Sequence, residues 1–323
     1  MSALVWFRRD LRLADNPVWA TATADHDEVT ALFVLDERLL APAGRSRRDL
    51  LFTNLHALDT DLRRLGGNLL IETGDPESTV PAIANRHEAV YWNRDHTPFA
   101  RRRDQAVAAT TRSVVEEYDG NVVHAPEGVM TGGGTPYRVF TPFYRTWSTI
   151  PIAPWPQPGE AAVTGHIGVE IPNVPSPIIE AGELGAHHRL EQFLGIVDDY
   201  ETDRNRPDLD RTSHLSADLK FGTISARSLV EQIGTTTGGR QAFVRQLAWR
   251  DFYAQILFYA PHTVDEPFRD DLGSIVWAVD DEAVGAWKDG RTGYPIVDAG
   301  MRQLRAEGWM HGRVRMIAAS FLV

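Results

Sequence analysis

Apolar positions along this chain change rhythm near its middle. In the first part short apolar runs recur about every thirty residues, at Leu4–Phe7, Val29–Asp36, Asn68–Asp75, Ala89–Asp95 and Val122–Gly128. Such runs read as strands buried on both faces, and the helix-period segments between them predict βαβ alternation, hence a parallel sheet with helices on each side. Strand ends pass into helix starts at Asp15–Pro17 and Gly74–Pro76, where an Asx cap precedes a proline suited to the first helical turn. The middle differs: nine of the nineteen prolines fall between Thr131 and Glu180. That density predicts a long interdomain linker rather than one packed element. From about Ala186 the period is helical, with Leu190, Phe193, Leu194 and Val197 on one face. A longer helix is expected over Gln241–Ala260, closed by Pro261. The pattern therefore predicts an α/β chain: a doubly wound parallel sheet over residues 1–130, a linker over 131–185 and an all-α domain over 186–323, with no internal repeat.

Composition narrows the chemistry. The chain has no cysteine, which excludes disulfides, thiol nucleophiles and cysteine-based zinc or iron–sulfur sites. Redox chemistry would then need a bound cofactor. A net charge of −11, from 33 basic and 44 acidic residues, argues against sequence-independent coating of nucleic acid. A local patch can still hold phosphates, and Met301–Val323 carries four arginines against one glutamate. No apolar run approaches the roughly 18 residues of a membrane span, and acids appear early at the N-terminus. A soluble, cytoplasmic, monomeric protein with no membrane contact is expected.

Open α/β sheets bind ligands beyond the carboxyl ends of their strands. Asp36 and Asp95 stand there, although on spacing alone helix caps or turn residues are the commoner explanation for both. No GxGxxG follows the first strand, so a Rossmann-type dinucleotide site is not supported, and Thr131–Thr135 ("TGGGT") reads as a turn. In the helical half, "TSHLS" (Thr212–Ser216) places hydroxyls at a helix start, either as caps or as a phosphate site. On the following long helix Phe243, Gln246 and Arg250 share a face with Trp249 beside them. If the last segment is helical from Trp309, then Arg313 and Met316 share its face, while Arg315 points about 160° away from Arg313. Two arginines on opposite faces imply two different partners. The adjacent His187 and His188 diverge by about 100° on a helix, so no metal site is expected.

Five runs, "LVWFRRDLRLADN", "VMTGGGTPYRVFTPF", "YETDRNRPDLDRTSHLSADLKFGTIS", "QLAWRDFY" and "AWKDGRTGYPIVDAGMRQLRAEGWMHGRVRMIAASFLV", together resemble the DNA photolyase/cryptochrome family, in its order and along the whole chain. The resemblance implies an antenna-chromophore domain, a linker and a helical domain that holds FAD and damaged DNA. It implies that Tyr200, Thr212, Ser213, His214, Leu215, Ser216, Phe243, Gln246, Arg250 and Arg315 bind FAD. By the same resemblance Trp249, Arg313 and Met316 meet the extruded pyrimidine dimer, and Trp287 matches the outer tryptophan of an electron-relay chain; with its neighbours Arg302 and Arg305, Arg313 is further expected to hold phosphates that flank the lesion. Gln246, Trp249 and Trp287 would then be the catalytic set. Asp36 and Asp95 match acids of relatives that carry 8-hydroxy-5-deazaflavin, whereas Phe99 and Ala100 stand where folate-binding relatives show an Asn–Glu pair, so the deazaflavin is the expected antenna.

The implied function is light-dependent repair of cyclobutane pyrimidine dimers, the reaction of a carbon–carbon lyase of the class I, dimer-repairing branch. A cryptochrome-like photoreceptor and a non-catalytic chromophore-binding form are the alternatives. Four departures from the family pattern stand out. Gln246 replaces a common glutamate, Gly312 replaces an asparagine, and Arg211 replaces a glycine. The fourth is that the family continues past "ASFLV" with residues that cover the flavin ring and with two inner relay tryptophans. From this last departure the 323-residue form is expected to bind FAD weakly, to repair no dimers and to aggregate.

Overall fold

The computed structural model describes residues 1–175, 177–269 and 280–322. Five parallel strands form its first part: β1 (Ser2–Phe7), β2 (Glu28–Leu35), β3 (Leu69–Thr73), β4 (Ala89–Asn93) and β5 (Val114–Tyr118), in the order β3-β2-β1-β4-β5. Between them run α1 (Pro17–Asp25), α2 (Glu37–Leu40), α3 (Arg45–Arg64), α4 (Pro76–Ala84) and α5 (Pro98–Thr110). Alternation along β1 shows how the sheet is buried. Ala3, Val5 and Phe7 pack with Val18, Leu55 and Leu58 of α1 and α3, while Leu4 and Trp6 pack with Val80, Ala84 and Val107 of α4 and α5. Both faces are thus covered, as βαβ connections require.

Four of the five expected strands are present. The fifth is not at Val122–Gly128, which is a loop ending in a single 3-10 turn at Pro126–Gly128. Its place is taken by β5, an edge strand with Val114 60% exposed and two glutamates. An edge strand half in water lacks the apolar run that marked the others. Val123 and Val129 are buried, but in the core of the helical part. Asp75 caps α4 by accepting from the Glu77 amide. Asn16 precedes α1 without capping it; its side chain bonds the Arg12 carbonyl and Asn93 instead.

The proline-rich middle is also structured. It holds α6 (Phe140–Trp147), whose Phe140, Phe143 and Trp147 lie in the helical core, and β6 (Ala162–Val163), which pairs in parallel with the start of β2. Pro142 falls in the first turn of α6, where its missing N–H costs nothing. The other prolines lie outside the helix.

Beyond it come α7 (Gly182–Leu194), α8 (Tyr200–Asp203), α9 (Ser216–Phe221), α10 (Ala226–Ile233), α11 (Gly238–Tyr259), α12 (Asp281–Asp289), α13 (Pro295–Glu307) and α14 (Gly312–Leu322). No strand lies among the described residues after β6. Helix α11 is the axis of this core, with Phe243, Val244, Leu247, Ala248 and Phe252 buried along it. The sheet and the helices are joined through the loop after β1. Arg12, 2% exposed, donates to the Gly120 and Gly222 carbonyls, and Leu11 N–H donates to the Phe221 carbonyl. Glu183 on α7 accepts from the Leu13 and Ala14 amides.

Candidate functional site

The loop entering α9 faces the start of α14 across a cavity in two lobes. The larger is about 830 Å3 and the smaller about 360 Å3. Thr212, Ser213, His214, Ser216, Trp309 and Arg315 border both lobes. The loop is set by His214, whose φ of +53° lies in the left-handed region that non-glycine residues rarely adopt. Its ring stacks on Trp309 at 4.2 Å and 20°, and its Nε2 lies 2.6 Å from Asp210 Oδ1. The result is a flat wall beside a cluster of hydroxyls.

Charge in the cavity is mostly positive. The Arg315 guanidinium has no hydrogen bond or ion pair among the described residues, although it borders both lobes. Lys220 and Arg47 border the larger lobe. Burial, aided by repulsion from Arg9, Arg47 and Arg250, lowers the Lys220 pKa to about 8. The smaller lobe gathers Tyr200, Leu215, Gln246, Arg313 and Met316. Gln246, which borders this lobe, donates its amide to the Ala242 carbonyl at 3.3 Å. Arg313 donates twice to Asn205 Oδ1, at 3.0 and 2.7 Å.

Helix α14 begins at Gly312, so Trp309 precedes it and does not share a helical face with Arg313 and Met316 as the sequence suggested. Gly308, the left-handed cap of α13, forces that break. The two arginines still diverge: Arg315 reaches the larger lobe and Arg313 does not. Phe243 lies behind the wall, 4.7 Å from Phe193 and 5.4 Å from Tyr200.

Other expected residues lie elsewhere. Arg250 turns toward the sheet and donates to the Asn121 and Leu219 carbonyls. Trp249 is stacked on Phe140 at 3.6 Å, with Tyr253 on α11 at 5.5 Å; it borders neither lobe. Trp287 Nε1 donates to the Ala318 carbonyl, tying α12 to α14. Arg302 donates to the Gly290 carbonyl, and Arg305 pairs with Asp289 at 2.5 Å.

A second cavity, about 330 Å3, opens beyond the carboxyl ends of β1, β2 and β4 and holds Asp36 and Asp95. This is the sheet's switch point, where α/β folds place ligands. Both acids also cap: Asp36 accepts from the Arg38 amide and Asp95 from the Thr97 amide. For Asp95, burial opposes the charge, but Arg9, the Thr97 amide and Arg8 outweigh it and hold the carboxyl below the usual range. Lys220 borders this cavity as well as the larger lobe. Sequence reasoning missed Lys220, although a lysine between Leu219 and Phe221 on a short helix was a visible signal. It also missed the Trp309–His214 stack and His311, which is 3% exposed and has no hydrogen-bond partner on Nε2.

Comparison with known proteins gives one picture. The sequence matches the DNA photolyase family over residues 3–159 and the FAD binding domain of DNA photolyase over residues 243–323. It is 39% identical to the deoxyribodipyrimidine photo-lyase of Halobacterium salinarum, covering 99% of this chain and 74% of that protein. With the one of Synechococcus it is 35% identical, covering 99% and 73%. A class III photolyase from Agrobacterium tumefaciens superposes with a TM-score of 0.89 at 30% identity, over 99% of this chain and 72% of that one. A photolyase from Sulfolobus tokodaii, solved with two FAD molecules, gives 0.88 at 32%, over 100% and 75%.

Proposed function

Since the chain belongs to the DNA photolyase family, we propose that it repairs cyclobutane pyrimidine dimers in DNA under light, with FAD in the two-lobed cavity. FAD bound there supplies the light-driven electron. One observation carries the reading: the hydroxyls of Thr212, Ser213 and Ser216, the unpaired Arg315, and Gln246, Arg313 and Met316 converge on one space.

The residues present fit such a cofactor. Arg315 is an exposed cation with no counter-ion among the described residues, and the Thr212–Ser216 loop offers hydroxyl donors beside it, the donor set a pyrophosphate needs. The Trp309–His214 wall offers a planar face. Toward DNA, Arg313 positions a phosphate and Met316, 60% exposed, offers an apolar contact to an extruded base. Trp249 serves in this reading as packing support for α11. The cavity beyond the strands takes a light-harvesting ring, for which we favour 8-hydroxy-5-deazaflavin; Asp36 and Asp95 would accept from its N–H edge and Lys220 would donate to its carbonyl edge. The protein acts as a monomer on damaged DNA. No helix among the described residues is long and apolar enough to cross a membrane.

The test is reversal of a thymine dimer in an oligonucleotide by FAD-loaded protein, compared in light and in darkness. Light-only reversal is expected of this reading, whereas the weakly FAD-binding, inactive form expected from the sequence predicts none; equal yields in light and darkness would reject the reading. Reconstitution with the deazaflavin and with a folate, side by side, tests the antenna, and preference for the folate would reject the deazaflavin.

A further inference from the structure

Resting on the reading of the two-lobed cavity as the FAD site, we infer that His311 is a positioning residue of that site, whose imidazole caps α14 and so holds Arg313 and Arg315 in place for their ligands. The ring stands one residue before the helix. Its Nδ1 accepts the Arg313 N–H at 3.2 Å, and the His311 carbonyl accepts the Arg315 N–H at 2.9 Å. The imidazole thus does what a serine or aspartate usually does for the second amide of a helix. Both amides held by His311 belong to arginines of the site.

This helix start depends on its cap. Gly312, the first residue of α14, has no side chain, and the first turn contains no acid. Arg313 and Arg315 stand there instead, where their charge opposes the positive end of the helix dipole. Without the cap an orphan N–H is added to those every helix start already carries, and a frayed first turn would release both arginines from the lobes. The ring itself is well fixed. His311 is 3% exposed, and Trp309 meets it edge-on at 6.4 Å and 83°. It borders the smaller lobe on one side and a groove between α13 and α14 on the other.

The cap works only while the imidazole is neutral. An accepting Nδ1 is bare, so the proton sits on Nε2, which is buried without a hydrogen bond. A second proton would turn Nδ1 into a donor aimed at the Arg313 N–H and leave two buried N–H groups unpaired. The surrounding charges do not favour it. Burial, then Arg313 and then His214, lower the imidazole pKa. His214 is itself bound to Asp210, while Asp208 and Glu307, which border the groove, are engaged by Arg206 and Gln303. With the folded value lowered, the cap is whole at neutral pH and is lost as pH falls through that value.

The experiment titrates FAD into the unaltered protein, His311→Ala and His311→Asn, at about pH 7.5 and about pH 5.5, either side of the ordinary imidazole range. Asparagine is a good N-cap whose carbonyl can accept the Arg313 N–H, and it does not titrate. Binding scales with the fraction of chains whose first turn is formed. At the higher pH His311→Ala should therefore bind FAD about fivefold more weakly, the factor an N-cap is typically worth, and His311→Asn within about twofold of the unaltered protein. On acidification the unaltered protein should lose affinity relative to His311→Asn; a ring that merely fills space would leave their ratio constant. Imidazole 15N shifts should place the His311 proton on Nε2. Undiminished binding by His311→Ala, no rescue by asparagine, a ratio independent of pH, or a proton on Nδ1 would each overturn the inference. Failure of the unaltered protein to bind FAD would overturn the reading of the cavity on which it rests.

Discussion

Asp251 is a junction built from one carboxylate. It is fully buried, and its Oδ2 accepts from the Val123 and His124 amides and from Trp147 Nε1, joining α11 to the loop after β5 and to α6. Burial raises its pKa to about 6 against the opposing pull of Arg250 and these donors. An acid whose folded value lies above its unfolded one stabilises the fold only while protonated. That contribution is whole below the ordinary carboxylate range and is lost as pH rises through about 6. The shift corresponds to about 3 kcal/mol. Urea unfolding between about pH 4 and pH 7 should therefore show stability falling by that order relative to Asp251→Asn, whose profile should be flatter; parallel profiles would refute the assignment. At this scale the sequence was readable where a residue acts on its neighbours, as with Asp36 and Asp75 as caps. It did not show where Asp251, Arg250 and Trp249 turn, because Val123, Asn121 and Phe140, which hold them, lie more than a hundred residues away in the chain.

Elements were legible in proportion to how thoroughly they are buried. The strands β1, β2 and β4 are apolar through their length and stood out, whereas β5 at the edge did not. Helix α6 was hidden because prolines around it suggested a linker, yet only Pro142 lies inside it. The short helix α9 shows what an element needs besides its own pattern. It ends at Gly222, φ +71°, where an added Cβ would meet the Arg9 carbonyl directly and the Asp10 Cα at 2.6 Å. Both atoms are backbone and cannot yield cheaply, so Gly222→Ala should unseat α9 from the loop after β1. We expect a loss of roughly 2–4 kcal/mol, combining a strained left-handed alanine with a displaced backbone contact. Denaturant midpoints check it, and a loss under about 0.5 kcal/mol would mean that the contact is loose. By contrast, an added Cβ at Gly312 would meet nothing within 4 Å. The departure at this position therefore opens space at the start of α14 without a packing cost.

For the whole molecule, the division into a sheet part and a helical part was readable from the change of period. How they meet was not, because the Arg12 and Glu183 contacts carry no periodic signal. The net charge of −11 makes affinity for DNA a local matter, resting on the few cations near the smaller lobe. Phosphate contacts release counterions, so Arg313→Ala should lower the slope of log affinity against log salt by about one for dimer-containing duplex. An unchanged slope would remove Arg313 from the interface. Whether the two-lobed cavity holds FAD is tested most directly by titrating the flavin-free protein with FAD, followed by flavin fluorescence. The prediction is saturable binding at one site per chain, weakened at least about tenfold by Arg315→Ala, since a charge-assisted hydrogen bond to phosphate is worth roughly 1.5–3 kcal/mol. No saturable binding, or an Arg315→Ala protein that binds FAD as tightly as the original, would contradict it.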